Sequence, residues 1–294
     1  MKVNVTPGKY VIAVSGGVDS VVLLHILAKE ADLELVVAHF NHGIRESSAR
    51  DEEFVEALAD KLNLKYESAR GVLGPDASED KARQARYKFL NDAKQKHEAA
   101  SVITAHHQDD LIETAAINIM RGTGPRGLVA ILANQEITRP LLDTPKKDIL
   151  DFAQKHKIAW VEDESNKDPR YLRNVVRQTL NKNLTQEHRQ RILKYIKDLQ
   201  ASEGEKEELV IGLESHIFED AQTIKRNAFI FLPSEVANEI ILHWLRQNYV
   251  VADRRLVNRL SVAVKTGRAN SIHSVDKGHT LRLSAQKAYL MAIG

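Results

Sequence analysis

The sequence has no cysteine among its 294 residues. This absence excludes disulfide bonds, thiolate zinc sites, iron–sulfur clusters held by cysteine and a cysteine nucleophile. Long hydrophobic runs are absent too, since no segment approaches the roughly 20 apolar residues that cross a membrane, and the first residues lack the apolar stretch and cleavage site of a signal peptide. We therefore expect a cytoplasmic protein with no membrane partner.

The charge of the chain is small overall but unevenly distributed. The formal net charge is +2, yet residues 221–294 hold 11 Lys and Arg against 4 Asp and Glu, a net of +7, which leaves a net of −5 for residues 1–220. A basic carboxyl-terminal segment favours a polyanionic partner, in particular nucleic acid. A solvated basic face without a partner is the alternative.

The order of the apolar segments predicts the fold class. Short β-rich runs alternate with longer amphipathic segments, which is typical of an α/β fold, here a doubly wound parallel sheet with helices on both faces. The candidate strands are residues 10–15, 35–40, 65–68, 101–105 and 137–139. We expect a catalytic domain at residues 1–185, a helical linker at residues 186–220 and a small basic α+β domain at residues 221–294 that binds RNA.

A glycine-rich turn at residues 15–20, Ser-Gly-Gly-Val-Asp-Ser, stands between an apolar run and a helical segment. Glycines let the backbone approach a phosphate, the first helical amides lack internal acceptors, and serine hydroxyls add donors. The spacing differs from a Walker A loop, and Asp19 would repel a phosphate unless Mg²⁺ or a basic group intervened. The turn indicates a pyrophosphate cradle, and a serine-capped helix is the simpler alternative.

A second cluster of polar residues, at positions 104–114, follows an apolar strand and enters a helix. At about 100° per residue, His106, Asp109, Asp110 and Glu113 share one helical face. Such a group can bind Mg²⁺, hold a cationic substrate or accept a proton from an amine. The alternative is an acidic first turn that complements the helix dipole, which accounts for the two aspartates but poorly for the other two residues.

Arginines recur at positions suited to phosphate contacts. Arg121 and Arg126 flank a flexible turn, and Arg173 and Arg177 lie four residues apart on a predicted helix. Ordinary surface arginines are the alternative for both pairs. The residues that we assign to RNA binding are Arg83, Arg126, Arg173, Arg177, Arg254 and Arg255.

These motifs together resemble one enzyme family. S-G-G-x-D-S at residues 15–20 is similar to the PP-loop of enzymes that split ATP into an adenylated intermediate and pyrophosphate. When H-H-x-D-D-x-x-E-T at residues 106–114 is added, the chain resembles the tRNA(Ile)-lysidine synthases. Further matches are A-R-x-x-R-Y at 82–87, R-G-x-G-x-x-G-L at 121–128, R-P-L-L at 139–142, D-x-S-N at 163–166 and R-N-x-x-R at 173–177. One departure is Asn41, which stands where many relatives have Asp and which cannot act as a base.

The resemblance implies a fold, a reaction and a set of site residues. The fold is that of the PP-loop ATP pyrophosphatases, which is adenine nucleotide alpha hydrolase-like. The reaction is ATP-dependent ligation of free L-lysine to C2 of the wobble cytidine of tRNA-Ile with a CAU anticodon, through an adenylated cytidine, with release of pyrophosphate and AMP. The implied cofactors are ATP and Mg²⁺, and a homodimer is compatible with the resemblance.

Residue by residue, the resemblance assigns three groups. The ATP-binding group is Ser15, Gly16, Gly17, Val18, Asp19, Ser20, Ala38, His39 and His106. The catalytic group is Asp19, Asp109, Asp110, Glu113 and Arg121, and the Mg²⁺ ligands are Asp19 and Asp110. Two other functions stay open: another PP-loop adenylating ligase, and a tRNA-binding protein with a relic nucleotide site. PP-loop RNA thiolases are disfavoured because they generally depend on cysteine.

Overall fold

The computed structural model describes residues 1–41, 48–71, 79–123, 125–133, 136–162 and 172–293. The chain forms two compact units, Met1–Lys197 and Asp198–Gly294, and we describe each by itself. Within the described ranges, no helix combines the length and the apolar character that crossing a membrane requires.

The first unit is built on a five-stranded parallel sheet, which confirms the predicted fold class. Its strands are β1 Gly8–Ala13, β2 Leu33–Asn41, β3 Lys65–Arg70, β4 Ser101–Ile103 and β5 Ile137–Thr138. The strand order is β3-β2-β1-β4-β5, so successive connections run in opposite directions on either side of β1. The crevice where the direction reverses, beyond the carboxyl ends of β1 and β4, is where ligands bind in sheets of this kind.

Helices cover both faces of this sheet. They are α1 Val18–Leu27, α2 Ser48–Lys61, α3 Glu79–Lys96, α4 Gln108–Met120, α5 Pro125–Leu128, α6 Ala130–Ala133, α7 Lys146–Lys155 and α8 Leu172–Asn183, followed by the long α9 Gln186–Ile217. Alternate residues of β1 belong to different cores: Ile12 packs with α1, α2 and α7, whereas Val11 packs with Leu90 and Ala93 of α3. Because side chains alternate across a strand, both faces of the sheet are buried, and this explains why its central strands are apolar throughout.

The second unit combines an antiparallel sheet with helices. Its elements after α9 are β6 Phe218–Asp220, β7 Thr223–Lys225, α10 Arg226–Phe229, α11 Ser234–Gln247, α12 Arg254–Thr266, β8 Ile272–Ser274, β9 His279–Leu283 and β10 Lys287–Ala292. The strand order is β6-β7-β10-β9-β8, and its core contains the fully buried Trp244 of α11. The predicted pair of helices and the terminal hairpin are therefore present, in an α+β arrangement.

The charge of the second unit differs from that of the segment singled out in the sequence. Residues 198–294 carry 12 Lys and Arg and 12 Asp and Glu, a net charge of zero. The acidic residues lie mainly on α9 and β6, and they balance the basic segment that follows. The division at residues 1–185, 186–220 and 221–294 stays a prediction, and the compact units divide within α9.

Candidate active site

The glycine-rich turn lies between β1 and α1, at the crevice defined by the strand order. Gly16 has a φ of +91°, a backbone conformation that side-chain-bearing residues rarely adopt. Ser20 ties the turn together, because its Oγ donates to the Gly17 carbonyl at 2.9 Å and accepts from the Ser15 amide at 3.1 Å. The amides that open α1 lack intrahelical acceptors, so the turn has the geometry of an anion cradle.

A lysine neutralises the aspartate in this cradle. Asp19, in the first turn of α1, has its Oδ1 2.5 Å from Nζ of Lys146. The backbone N–H of Lys146 donates to Oδ2 of Asp109 at 2.9 Å, so the start of α7 joins the turn to the acidic cluster of α4. Lys146 was not among the residues predicted from the sequence, although a basic group beside Asp19 was a stated requirement for phosphate binding.

His107 lies among three carboxylates. Its Nε2 is 3.7 Å from Oδ2 of Asp19 and 3.5 Å from Oδ2 of Asp110, and its Nδ1 is 3.9 Å from Oδ2 of Asp109. The side chain is buried, with 4% of the residue exposed, and in the described part of the chain Nδ1 has no hydrogen-bond partner. The cradle and the acidic cluster therefore meet at one imidazole, which sequence reasoning passed over in favour of its neighbour.

Asp110 is held in its ionised form by this arrangement. Burial on its own would raise the pKa of Asp110, but the neighbouring imidazoles of His107 and His106 and a backbone hydrogen bond lower it below the ordinary aspartate value. That hydrogen bond runs from the His107 N–H to Oδ2 at 2.9 Å. Asp110 therefore stays an anion over the physiological pH range.

Two arginines of α8 surround Glu113. Glu113 is 3% exposed and receives a bidentate pair from Arg177, with Nε 2.6 Å from Oε1 and Nη2 2.9 Å from Oε2. This pairing raises the pKa of Arg177. Arg173 donates from Nη2 to Oγ1 of Thr114 at 3.3 Å, and its Nε is 4.0 Å from Glu113. RNA contacts by both arginines stay a prediction, and the contacts that the structure shows are with the acidic cluster.

A third arginine was also missed by sequence reasoning. Arg189, near the start of α9, makes a short contact through Nη1 with Oδ1 of Asp109, and its Nη2 donates to Oδ1 of Asn181 at 2.7 Å. Each carboxylate of the cluster thus has a cationic neighbour: Lys146 for Asp19, Arg189 for Asp109 and Arg177 for Glu113. This compensation is how several buried acids coexist without strong mutual repulsion.

His106 is neutral in the folded protein. Its Nδ1 lies 2.8 Å from Oγ1 of Thr104. Burial is the largest cause that lowers the pKa of His106 to about 4; the Asp110 charge opposes it, and the charges of Arg139, Arg86 and Arg173 add to it. A neutral imidazole can both donate and accept a hydrogen bond, which is compatible with the predicted contact to nucleotide.

The low pKa of His106 predicts acid lability of the fold. Between pH 6.5 and 4 the unfolded chain binds a proton that the native chain refuses, so stability that is present above pH 6.5 is lost as the pH falls. We expect His106→Gln to reduce the stability lost between pH 7 and pH 5 by roughly 2 kcal/mol, measured by urea unfolding. His188→Gln, on the exposed face of α9, is the matched control, and equal pH dependence in wild type and His106→Gln would contradict the prediction.

The residues predicted at the end of β2 are buried. His39 donates from Nδ1 to the Val14 carbonyl at 2.9 Å, and the Ala38 carbonyl accepts from the Val14 N–H at 2.9 Å. Asn41 donates from Nδ2 to Oε2 of Glu52 at 2.8 Å, so a carboxylate is present beside the position where many relatives have Asp. Nucleoside contacts by Ala38 and His39 stay predictions.

The other predicted arginines lie apart from the cluster. Arg121 ends α4 and is exposed, and Arg83 is exposed with its guanidinium carbon 4.9 Å from the centre of the Tyr87 ring. Arg254 and Arg255 are exposed at the start of α12. The side chain of Arg126 and the D-x-S-N motif at residues 163–166 lie outside what the structure describes.

Comparison with known proteins places the chain in a family. Residues 1–184 match the PP-loop domain family, which is more than half of the chain, so the protein belongs to that family of ATP-utilising domains. Among curated proteins, the tRNA(Ile)-lysidine synthase of Thermotoga maritima is 39% identical over 176 residues and that of Enterococcus faecalis is 38% identical over 191 residues. The alignments cover 56% and 61% of this chain but only 42% and 41% of those relatives, so the chain matches less than half of their length.

A solved structure supports the fold. The U34-tRNA thiolase from Methanococcus maripaludis, determined with its [4Fe-4S] cluster, superimposes with a TM-score of 0.53 at 16% identity, over 67% of this chain and 73% of that chain. At this identity the likeness shows a shared fold and nothing about the reaction. With no cysteine in the sequence, this chain has no thiolate to hold such a cluster.

Proposed function

We propose that the protein is a tRNA(Ile)-lysidine synthase, an ATP-dependent ligase that joins L-lysine to C2 of the wobble cytidine of a CAU-anticodon tRNA-Ile. The relatives at 38–39% identity support this reaction. The observation that carries the proposal is the position of His107, whose Nε2 lies within 3.7 Å of both Asp19 of the cradle and Asp110 of the cluster. Phosphate binding and the chemistry of an amine are thereby placed in one site.

In the first step, the C2 carbonyl oxygen of the cytidine attacks the α-phosphate of ATP, and pyrophosphate leaves. The amides that open α1, with the hydroxyls of Ser15 and Ser20, bind the phosphates. Lys146 offsets the charge of Asp19 so that the cradle can accept a polyanion. Arg121, exposed at the end of α4, is placed to contact the nucleotide backbone.

Asp19 and Asp110 fit the requirements of Mg²⁺, which prefers oxygen ligands and is commonly held by one or two carboxylates together with substrate phosphates. In the described ranges no group of three or more acidic or histidine side chains has the spacing of a complete metal site, in keeping with a metal that shares its ligands with ATP. When bound, the ion would spread the charge that develops on the departing pyrophosphate.

In the second step, the ε-amine of lysine forms a bond to C2 as the bond from C2 to the AMP oxygen breaks. Lysine arrives as an ammonium ion and must lose a proton before it attacks. The anionic Asp110 attracts the cation, and the unpartnered Nδ1 of His107 is an acceptor for the proton. Glu113, held by Arg177, acts by positioning that arginine beside Asp110, whose Oδ1 is 3.7 Å from Nη2.

The experiment that tests the proposal combines the purified protein with ATP, Mg²⁺, radiolabelled lysine and a CAU-anticodon tRNA-Ile transcript. We expect ATP-dependent label that survives alkaline deacylation, because the new bond is to a base and not an ester. The control is the same transcript with the wobble cytidine changed to uridine, which should remain unlabelled. Pyrophosphate release with another substrate and no labelled RNA would instead assign the chain to a different PP-loop adenylating ligase.

A further inference from the structure

The connection between α11 and α12 contains a tyrosine in an unfavourable backbone conformation. Tyr249 has a φ of +59°. Its N–H donates to the Arg246 carbonyl at 3.0 Å, and the N–H of the next residue, Val250, donates to the Leu245 carbonyl at 2.8 Å. This is the helix ending in which glycine normally takes the left-handed position, because a β-carbon there is strained.

The side chain of Tyr249 does nothing to offset that strain. It is 95% exposed, and Val251, two residues on, is 94% exposed. Val250, between them, is buried in the core of the second unit, and Oδ1 of Asp253 caps α12 by accepting from the Leu256 N–H at 2.7 Å. The turn is therefore anchored at both ends, and it presents an aromatic and an apolar side chain to solvent.

Two arginines follow at a position that also disfavours stability. Arg254 and Arg255 open α12, where the helix dipole repels cations. Both are exposed, and within the described part of the chain neither makes a hydrogen bond or an ion pair. Acidic side chains of the neighbouring α9 and β6 have other partners: Glu214 accepts from His243 and Gln247, and Glu219 pairs with Lys287.

We propose that residues 248–255, the α11–α12 turn, bind a single-stranded segment of RNA, with an unpaired base stacked on Tyr249 and phosphates held by Arg254 and Arg255. Local choices that cost stability without an evident structural gain are typical of functional sites. An exposed ring beside two guanidinium groups has the chemistry that recognises unpaired bases in RNA. The inference rests on the proposed function, because it takes the tRNA substrate as the RNA.

The test replaces Tyr249 by glycine in the full chain and measures the affinity for the CAU-anticodon tRNA-Ile transcript by filter binding. We expect affinity to fall about ten-fold, within the range for loss of one stacked base, while the midpoint of thermal unfolding stays the same or rises because the strain is relieved. Tyr249→Phe should keep the wild-type affinity. Phe231→Ser, which removes an exposed aromatic side chain outside the turn, is the matched control.

The arginines give a second readout. The double variant Arg254→Ala with Arg255→Ala should reduce the slope of log affinity against log salt concentration by about two, one for each lost phosphate contact. Unchanged affinity in Tyr249→Gly would overturn the proposal, and so would a change in sedimentation without a change in affinity, since the turn would then contact protein. If the wild type neither binds the transcript nor transfers lysine to it, the proposed function has failed; wild-type transfer with unaffected variants refutes the turn alone.

Discussion

The Lys146→Met variant is expected to release pyrophosphate from ATP at least a hundred-fold more slowly than the wild type. Nζ of Lys146 lies 2.5 Å from Oδ1 of Asp19, so its loss leaves an uncompensated carboxylate inside the proposed phosphate cradle. Removal of one positioned group that stabilises developing charge typically costs about 10²–10³ in rate, and electrostatic repulsion of the triphosphate adds to this. The rate of tRNA-dependent pyrophosphate release measures the effect.

The neighbouring lysine supplies the control. Lys147 is exposed, and in the described residues its side chain makes no polar contact. Lys147→Met should therefore release pyrophosphate at the wild-type rate. Adding Asp19→Asn to Lys146→Met removes the unpaired charge, and we expect this double variant to recover ATP affinity but not the rate. A wild-type rate in Lys146→Met would show that the lysine does not serve the phosphate site.

The fold was readable from the sequence because its signals are local. The alternation of apolar runs and amphipathic segments predicts strands and helices one at a time, and short connections of this kind form right-handed parallel units. The order β3-β2-β1-β4-β5 is a different matter, because it depends on which strands pair. The pairing of β1 with β4 joins residues about ninety positions apart, as in Tyr10 opposite Ser101, and no periodicity records it.

The candidate site was readable to the same extent. Asp19, Asp110 and Glu113 stand in short motifs and were found. Lys146 was missed because its partner Asp19 is 127 positions away, and Arg189 was missed because it contacts Asp109 across 80 positions. His107 was passed over because helical spacing says nothing about a residue that precedes the helix.

Charge shows the limit of reading a segment in isolation. The +7 of residues 221–294 suggested a basic domain. The compact unit begins at Asp198 and includes the acidic part of α9, so its net charge is zero. Attraction for RNA must then come from local patches such as the α11–α12 turn, because the net charge of the unit supplies no long-range steering.

Arg177→Met is expected to lower the free energy of unfolding of the first unit by about 3 kcal/mol. Glu113 is 3% exposed and accepts both hydrogen bonds from this arginine. Removing one partner of a buried ion pair costs roughly 3–5 kcal/mol, because the other charge stays buried without compensation. The lower end applies here, since the Arg177 side chain is 31% exposed and water reaches part of the pair. Urea unfolding at pH 7 measures the loss.

Two further variants separate the structural contact from the RNA contact predicted for Arg177. Lys182→Met, on the exposed side of the same helix, should leave stability unchanged. Glu113→Gln combined with Arg177→Met removes both charges and should recover most of the lost stability, because a neutral amide costs less to bury than an unpaired carboxylate. If Arg177→Met instead unfolds like the wild type but binds the tRNA transcript more weakly, the arginine serves the RNA, and its pairing with Glu113 contributes little to the fold.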